Sequence, residues 1–247
     1  MSCVVFITVR SVSTRLPKKT LRKINGKPLI QNLVERLSKI HSVKEIIVCT
    51  TIEKSDNELV EFLQKIGVKT FRGSSMDILG RLHQAALKWK LQHFIVVEGD
   101  DLFCDSDLIE KTCKFLKKSN YEFIYWKNLP LGATPLGIKT KPLFQLIKKF
   151  STKNVETGWG DFIIKSGVFK IGALKQKDCR LERPEIRLTI DYPEDLQLAR
   201  KLIKNLPINF SLLDIIKILD ENNEWQKINE KVKQKYRKNF TSKTKSL

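Results

Sequence analysis

The sequence predicts an α/β protein built on a mostly parallel sheet with crossover helices. Three observations carry that reading. Continuous β-branched runs recur at Cys3 to Val9 (CVVFITV), Ile46 to Thr50 (IIVCT) and Phe94 to Val97 (FIVV), the pattern of strands buried on both faces. Segments with helical spacing lie between them. The gaps from strand to strand are long enough for a crossover helix, as parallel pairing requires.

The first strand, 3–9, runs into a loop rich in Ser, Arg and Lys that contains Pro17. Gly26-Lys27-Pro28 then opens a helix over 29–40. Leu29, Ile30, Leu33, Val34 and Leu37 share one face, and Pro28 is tolerated in the first turn. The second strand, 46–50, leads to a helix over 56–66 with Leu59, Val60, Leu63 and Ile66 on one face. A short strand over 68–71 and a helix over 77–89 follow. The strand over 94–97 ends at Glu98-Gly99-Asp100-Asp101, and a helix over 108–116 comes next. From Tyr121 the pattern changes. Short β-like pieces at 122–126, 137–139 and 162–169, around a helix near 142–150, predict a small mixed insertion over 122–185 that serves acceptor binding or dimerisation. Arg187 to Ile190 (RLTI) is expected as a strand ending at Asp191-Tyr192-Pro193-Glu194-Asp195, with Asp191 near the cap of the next helix. Helices around 212–219 and from 224 close the chain. The whole reads as one α/β domain over 1–221, followed by a basic C-terminal helix and tail over 222–247.

The composition narrows the function class. The 46 Lys and Arg outnumber the 27 Asp and Glu, for a net charge of +19. Hydrophobic residues at 41% and charged residues at 30% exclude collagen-like and mostly disordered chains. No apolar run approaches the roughly 20 residues that span a bilayer, and the apolar N-terminus reads as a strand rather than a signal peptide. Five cysteines occur without a CxxC pair, so a reducing cytoplasm without disulfides or a zinc site is expected.

The charge is not evenly spread. Between Arg10 and Lys27 there are seven basic residues and no acid. Residues 222–247 carry eight basic residues against Glu224 and Glu230. The segment beyond about 234 is polar, and the sequence gives it no part in the chemistry. In parallel sheets ligands bind beyond the carboxyl ends of the strands. Two features fall at that edge: the basic loop after the first strand and the acidic turn after Val97. A second acidic strand end stands at Asp191. Arg and Lys neutralise phosphate oxygens, and carboxylates at strand ends hold Mg²⁺ that takes its other ligands from phosphates. The loop lacks GxxxxGK[ST] and GxGxxG, which disfavours P-loop and dinucleotide-binding proteins. Asp100 and Asp191, each taken alone, also fit an ordinary turn or cap.

Arg10-Ser-Val-Ser-Thr-Arg15-Leu-Pro-Lys-Lys19, Ile24-Asn-Gly-Lys-Pro-Leu-Ile30 and Glu35-Arg36-Leu37 resemble the opening of the cytidylyltransferase family. That family includes the CMP-Kdo and CMP-acylneuraminate synthetases and the spore-coat polysaccharide biosynthesis protein F branch, to which the likeness is greatest. Phe71-Arg-Gly-Ser-Ser-Met-Asp77-Ile-Leu-Gly-Arg81, Gly99-Asp100 with Asp105, Arg187-Leu-Thr-Ile-Asp191-Tyr-Pro-Glu-Asp195-Leu and Ile228-Asn229…Val232-Lys-Gln-Lys235 extend it over nearly the whole chain. The opening motif and TIDYPEDL are specific; GSSMD is weak.

The resemblance implies a Rossmann-like, nucleotide-diphospho-sugar-transferase-type domain and a CTP-dependent transfer of CMP to an acidic sugar or related acceptor, with release of pyrophosphate, for cell-surface polysaccharide synthesis. It implies that Arg10, Arg15 and Lys19 hold the CTP phosphates. Ser13, Ser74 and the backbone at Thr8 and Val9 line the nucleotide, and Asp100 and Asp191 bind Mg²⁺. Arg10, Lys19, Asp100 and Asp191 carry the chemistry. A homodimer is implied as well. Glu98, Glu156, Trp159 and Asp161 are candidates for the acceptor, and packing explains the last three equally well. The chain departs from the family at Lys18, usually Gly, at Val9, usually Ala, and at Glu98, where Gln or Thr is common. Glu98 is assigned either to the metal or to the acceptor. Two other readings compete. A nucleic-acid-binding protein would interleave aromatics with its basic residues, and the loop from Arg10 to Lys27 has none. A member with altered or lost activity is the second, and retention of both Asp100 and Asp191 argues against simple loss.

Overall fold

A computed structural model describes residues 2–155, 158–233, 235 and 236. The elements follow in the order β1 (Cys3–Thr8), a small hairpin of β2 (Lys23–Ile24) and β3 (Lys27–Pro28), α1 (Leu29–Ser38), β4 (Val43–Thr51), α2 (Asn57–Lys65), β5 (Lys69–Gly73), α3 (Ile78–Lys88) and β6 (His93–Glu98). Then come α4 (Ser106–Lys118), β7 (Phe123–Trp126), β8 (Leu136–Lys139), α5 (Thr140–Lys149), α6 (Trp159–Lys165), β9 (Ile171–Leu174), α7 (Pro193–Asn205), α8 (Leu212–Glu221) and α9 (Asn223–Gln226).

Seven strands form one sheet in the order β5-β4-β1-β6-β8-β7-β9. β1 pairs in parallel with β4 and β6, and β5 joins β4 in parallel. β8 is antiparallel to both β6 and β7, and β9 is parallel to β7, so β8 alone is reversed. Side chains alternate across β1, which explains why the run CVVFIT is apolar throughout. Val5 and Ile7 pack with α1, α4, α7 and α8, whereas Val4 and Phe6 pack with α3, α5 and α6. The sheet is covered on both faces.

The segment over 122–185 is mixed, as expected: β7, β8 and β9 extend the main sheet, with β8 antiparallel to its neighbours. Two sequence expectations are corrected. The β-like piece at 162–169 is helical over its first half, to Lys165, and irregular after it. In α6 Trp159 and Ile163, one turn apart, are both buried, so tertiary burial selects the helical period over the β propensity of Phe162-Ile163-Ile164. Residues 187–190 form no ladder beyond a single bridge from Leu131 to Arg187. They are instead tied by Leu188 N–H and Thr189 N–H to Leu131 O (2.7 and 3.1 Å) and by Ile190 N–H to Asp100 O (3.0 Å). The basic C-terminal helix begins as α9, passes through a tight turn at Lys227–Asn229 and is helical again over 230–233. Val232 is buried within it. Among the described residues, no helix is long and apolar enough to cross a membrane.

Candidate active site

The chain order reverses at β1, since β4 and β5 lie on one side and β6 on the other. Such a switch point opens a crevice at the carboxyl ends of the flanking strands. Here it lies where β1 runs out at Thr8 and β6 at Glu98. The two ends are drawn together by the bond from Gly99 N–H to Thr8 O (2.8 Å). A Cβ on Gly99 would lie 2.8 Å from Val9 Cβ and 2.9 Å from Val9 Cγ2, so any side chain at residue 9 favours glycine across the crevice, and valine adds to the crowding. A cavity of about 580 Å³ opens there.

One wall of the cavity is the basic loop. Its start is fixed by Ser11 N–H, which donates to Asp56 Oδ1 (2.6 Å). Asp56 is buried and also accepts from the hydroxyls of Thr50 (2.7 Å) and Thr51 (2.5 Å) at the end of β4. Ser13 Oγ accepts from Leu16 N–H (3.2 Å). Lys18 then takes a left-handed conformation (φ 53°). That conformation explains why a glycine suits this position and why the lysine is strained there. The turn delivers Lys19 into the crevice.

The Lys19 ammonium sits between two carboxylates. It bonds Asp100 Oδ2 and, at 3.0 Å, Asp191 Oδ1. Arg15 also reaches Asp191 Oδ1 (2.7 Å), and Arg187, buried, holds Asp191 Oδ2 (3.0 Å). Burial alone would raise the Asp191 carboxyl, but Lys19 and Arg15 outweigh it and hold the group below the usual carboxylate range. Burial likewise works against the charge on Lys19, and Asp100 and Asp191 more than restore it. Asp195 fixes the backbone here, as its Oδ2 accepts from the N–H groups of Asp191 and Tyr192 (3.0 Å each). Asp195 thus closes onto Tyr192, the N-cap of α7, with Asp191 one residue before it, near the cap as expected.

The floor is acidic. Carboxylate oxygens of Glu98, Asp100 and Asp101 lie within 4.8 Å of one another. Glu98 opens onto the cavity while protein crowds it elsewhere. This desolvation, with the charge of Asp100, raises its carboxyl to about 7 even though Trp159 Nε1 donates to it (3.2 Å). Asp101, more deeply buried, is raised well above the usual range by burial and by Asp100. Hard oxygen donors that already converge on one cationic atom fit a divalent cation, so Asp100 and Asp191 suit Mg²⁺, with Glu98 and Asp101 beside them.

Most residues expected in the site meet in this cavity. Thr8, Val9, Arg10, Ser13, Arg15, Lys19, Glu98, Asp100, Trp159, Asp161 and Asp191 all line it. Ser74 does not. Its hydroxyl accepts from Met76 N–H (3.1 Å) in the turn before α3, and only its carbonyl matters here, accepting from Arg81 (2.6 Å). Glu156 lies outside the described residues. Sequence reasoning gave no site role to Arg81, Asp101, Gly132, Thr189 or Tyr236, which line the same cavity, or to Arg187 behind Asp191. Arg81, Arg187 and Thr189 lie inside the family-like motifs and Asp101 in the acidic turn after Val97; Tyr236 carries no signal beyond being an aromatic in a basic tail.

Both the sequence and the fold have known counterparts. A family model described as cytidylyltransferase matches residues 4–231. An uncharacterised protein of Methanocaldococcus jannaschii, MJ1063, is 33% identical over 237 residues, covering 95% of this chain and 97% of its own. The spore coat polysaccharide biosynthesis protein SpsF of Bacillus subtilis is 25% identical over 209 residues, covering 82% and 87%. Among solved structures, a cytidylyltransferase from Leptospira borgpetersenii superposes with a TM-score of 0.80 at 22% identity, covering 91% of this chain and 97% of that one.

Proposed function

Because the chain belongs to the cytidylyltransferase family and is a nucleotidyltransferase, we propose that it transfers CMP from CTP to an acidic sugar or related acid acceptor. The products are the CMP conjugate and pyrophosphate, and the conjugate serves cell-surface polysaccharide synthesis. The observation that carries the reading is the convergence of Arg15 and Lys19 with Asp100 and Asp191 at the switch point of the sheet.

In this reading Arg10, Arg15 and Lys19 neutralise the triphosphate, and the backbone at Thr8 and Val9 lines the nucleotide. An acceptor oxygen attacks the α-phosphorus, the bond from that phosphorus to the bridging α–β oxygen breaks, and pyrophosphate leaves. The residues act by positioning and by stabilising charge that grows in the transition state. Asp100 and Asp191 would hold Mg²⁺, which supplies Lewis-acid stabilisation of phosphate charge when bound. Lys19, released from the two carboxylates, is free to meet phosphate oxygens. Dimerisation and a cytoplasmic location belong to the same proposal. The free cysteines, four of them buried, suit a reducing compartment.

The test is pyrophosphate release from CTP and Mg²⁺ with a panel of sugar acids, phosphosugars and phosphonates, with products identified by mass spectrometry. CTP should stabilise the protein against heat more than ATP, GTP or UTP. Equal stabilisation by ATP, or no CMP conjugate from any panel member, would overturn the assignment of base or of acceptor respectively.

A further inference from the structure

The expectation that nothing beyond residue 234 serves the chemistry meets a side chain in the wrong place for it: Tyr236 lines the cavity. The C-terminal helical segment is held there by three contacts. Asn229, buried, donates to Arg187 O (3.1 Å) and to Asp195 Oδ1 (2.8 Å). Val232 is buried against the core, and Lys233 Nζ donates to Glu185 O (2.7 Å). The segment thus packs on the stretch that carries Asp191. The Tyr236 ring then lies against the Arg187 guanidinium, 4.5 Å from ring centroid to carbon, a cation–π contact that fixes the aromatic plane.

What surrounds the ring decides its role. Burial keeps the phenol protonated, as do the charges of Glu98 and Asp191 and, more weakly, Asp101. It is therefore a hydrogen-bond donor facing carboxyl oxygens, of which those of Asp191 are held ionised by Lys19 and Arg15. A phosphate oxygen would be repelled by these carboxylates unless it brought its cation. A hydroxyl-bearing molecule has no such conflict, because it donates to Glu98 and accepts from Tyr236. The basic loop forms the opposite chemical environment, where phosphates and the acceptor's own acid group meet cations, which leaves the acceptor's hydroxyls to the acidic side. Arg15 lines the same cavity as Tyr236.

We propose that Tyr236, carried into the cavity by the C-terminal helix, is an acceptor-binding residue that works with Glu98 to hold hydroxyl groups of the acceptor. This rests on the nucleotidyl-transfer reading above and names the side of the site that the acceptor occupies.

Tyr236→Phe keeps the ring on Arg187 and removes only the hydroxyl. Its apparent Kd for CTP with Mg²⁺, from thermal-shift titration, should stay within about threefold of wild type. The acceptor KM should rise at least about tenfold, the scale of one lost hydrogen bond to substrate, while kcat changes less. An unchanged acceptor KM, or a CTP Kd that rises by the same factor, would overturn the proposal. A second measurement does not depend on turnover. The full-length protein is treated with tetranitromethane, and nitration at Tyr236 is read by mass spectrometry with CTP and Mg²⁺ alone and after adding each panel compound. Shielding that requires a panel compound supports the proposal. Shielding by CTP and Mg²⁺ alone, or no shielding by any compound, overturns it. If the wild type turns over no panel member but one of them shields Tyr236, the transfer reading fails and the assignment of Tyr236 as a small-molecule contact stands.

Discussion

The cavity has two halves built in different ways. The half proposed for the nucleotide comes from one continuous stretch, residues 8–19, pinned at its start by Asp56 and aimed by the turn at Lys18. It is basic. The other half, proposed for the acceptor, is assembled from separate segments that bring Arg81, Glu98, Gly132, Trp159, Thr189 and Tyr236 together, and it holds the acids Glu98, Asp101 and Asp161. Asp100 and Asp191 lie at the seam, where Lys19 of the first half bonds both. A loop that binds triphosphate needs only local geometry and charge. A pocket that must recognise a particular acceptor draws on whatever the fold brings near.

The largest expected effect comes from cutting the seam. Asp100→Asn and Asp191→Asn should each lower CTP turnover at least about a hundredfold in a pyrophosphate-release assay, the scale of losing one strong electrostatic contact. Their effects on stability should differ. Asp191 is buried and meets three cations, so its replacement should cost up to about 3 kcal/mol in denaturant unfolding. The naive expectation that removing either carboxylate relieves repulsion fails for Asp191, because the structure pairs it. The sign with pH follows from its depressed carboxyl. Its stabilisation is present above the unfolded value of 3.8 and is lost as pH falls through the lower folded value, so wild type and Asp191→Asn should converge in strong acid. Equal stability of the two proteins at pH 7 would detach Asp191 from the seam.

Next in size is Gly132→Ala, which probes the acceptor half. Gly132 has φ of +91°, and a Cβ there would lie 2.3 Å from the backbone nitrogen of Thr189. Neither backbone can move freely, because Leu188 and Thr189 bond Leu131. We expect a loss of about 2–4 kcal/mol in urea unfolding, typical of strain at a special backbone position. Survivors should bind CTP better than they turn over acceptor.

These two tests also mark what the sequence could disclose. The parallel core, the basic loop and the pair Asp100 and Asp191 were legible, because each is a local pattern at the end of an apolar run. Gly132 was not, since its partner Thr189 is 57 residues away and only the folded chain brings their backbones together. Arg187 was visible only as a letter in a motif. Its role needs Asp191, Asp195 and the Tyr236 ring around it. The error at 162–169 has the same origin: Phe162-Ile163-Ile164 favours a strand by propensity, and packing of Trp159 and Ile163 overrules it.

A smaller effect should distinguish the halves by pH. The Glu98 carboxyl, raised to about 7, binds its proton in the folded chain at pH values where the unfolded chain, near 4.5, has lost it. Stability therefore falls as pH rises between those values. In EDTA, Glu98→Gln should raise the Tm at pH 8 and leave it little changed at pH 4; an equal rise at both would show that charge is not the cause.

The smallest effect tests the loop. Lys18→Gly relieves the left-handed conformation and should stabilise the protein by up to about 1 kcal/mol, offset in part by the greater freedom of glycine in the unfolded chain. Its exposed pair with Glu58 contributes little to set against this. A loss of stability would mean that the lysine is anchored by more than its backbone.

The lysine between two carboxylates acts as a tethered counter-ion for Asp100 and Asp191. If the proposed function holds, a divalent cation arriving by itself would have to compete with that ammonium, whereas a triphosphate would offer the ammonium another partner. Loading of metal and nucleotide would then be an exchange of ions, in which the acidic pair need never stand bare.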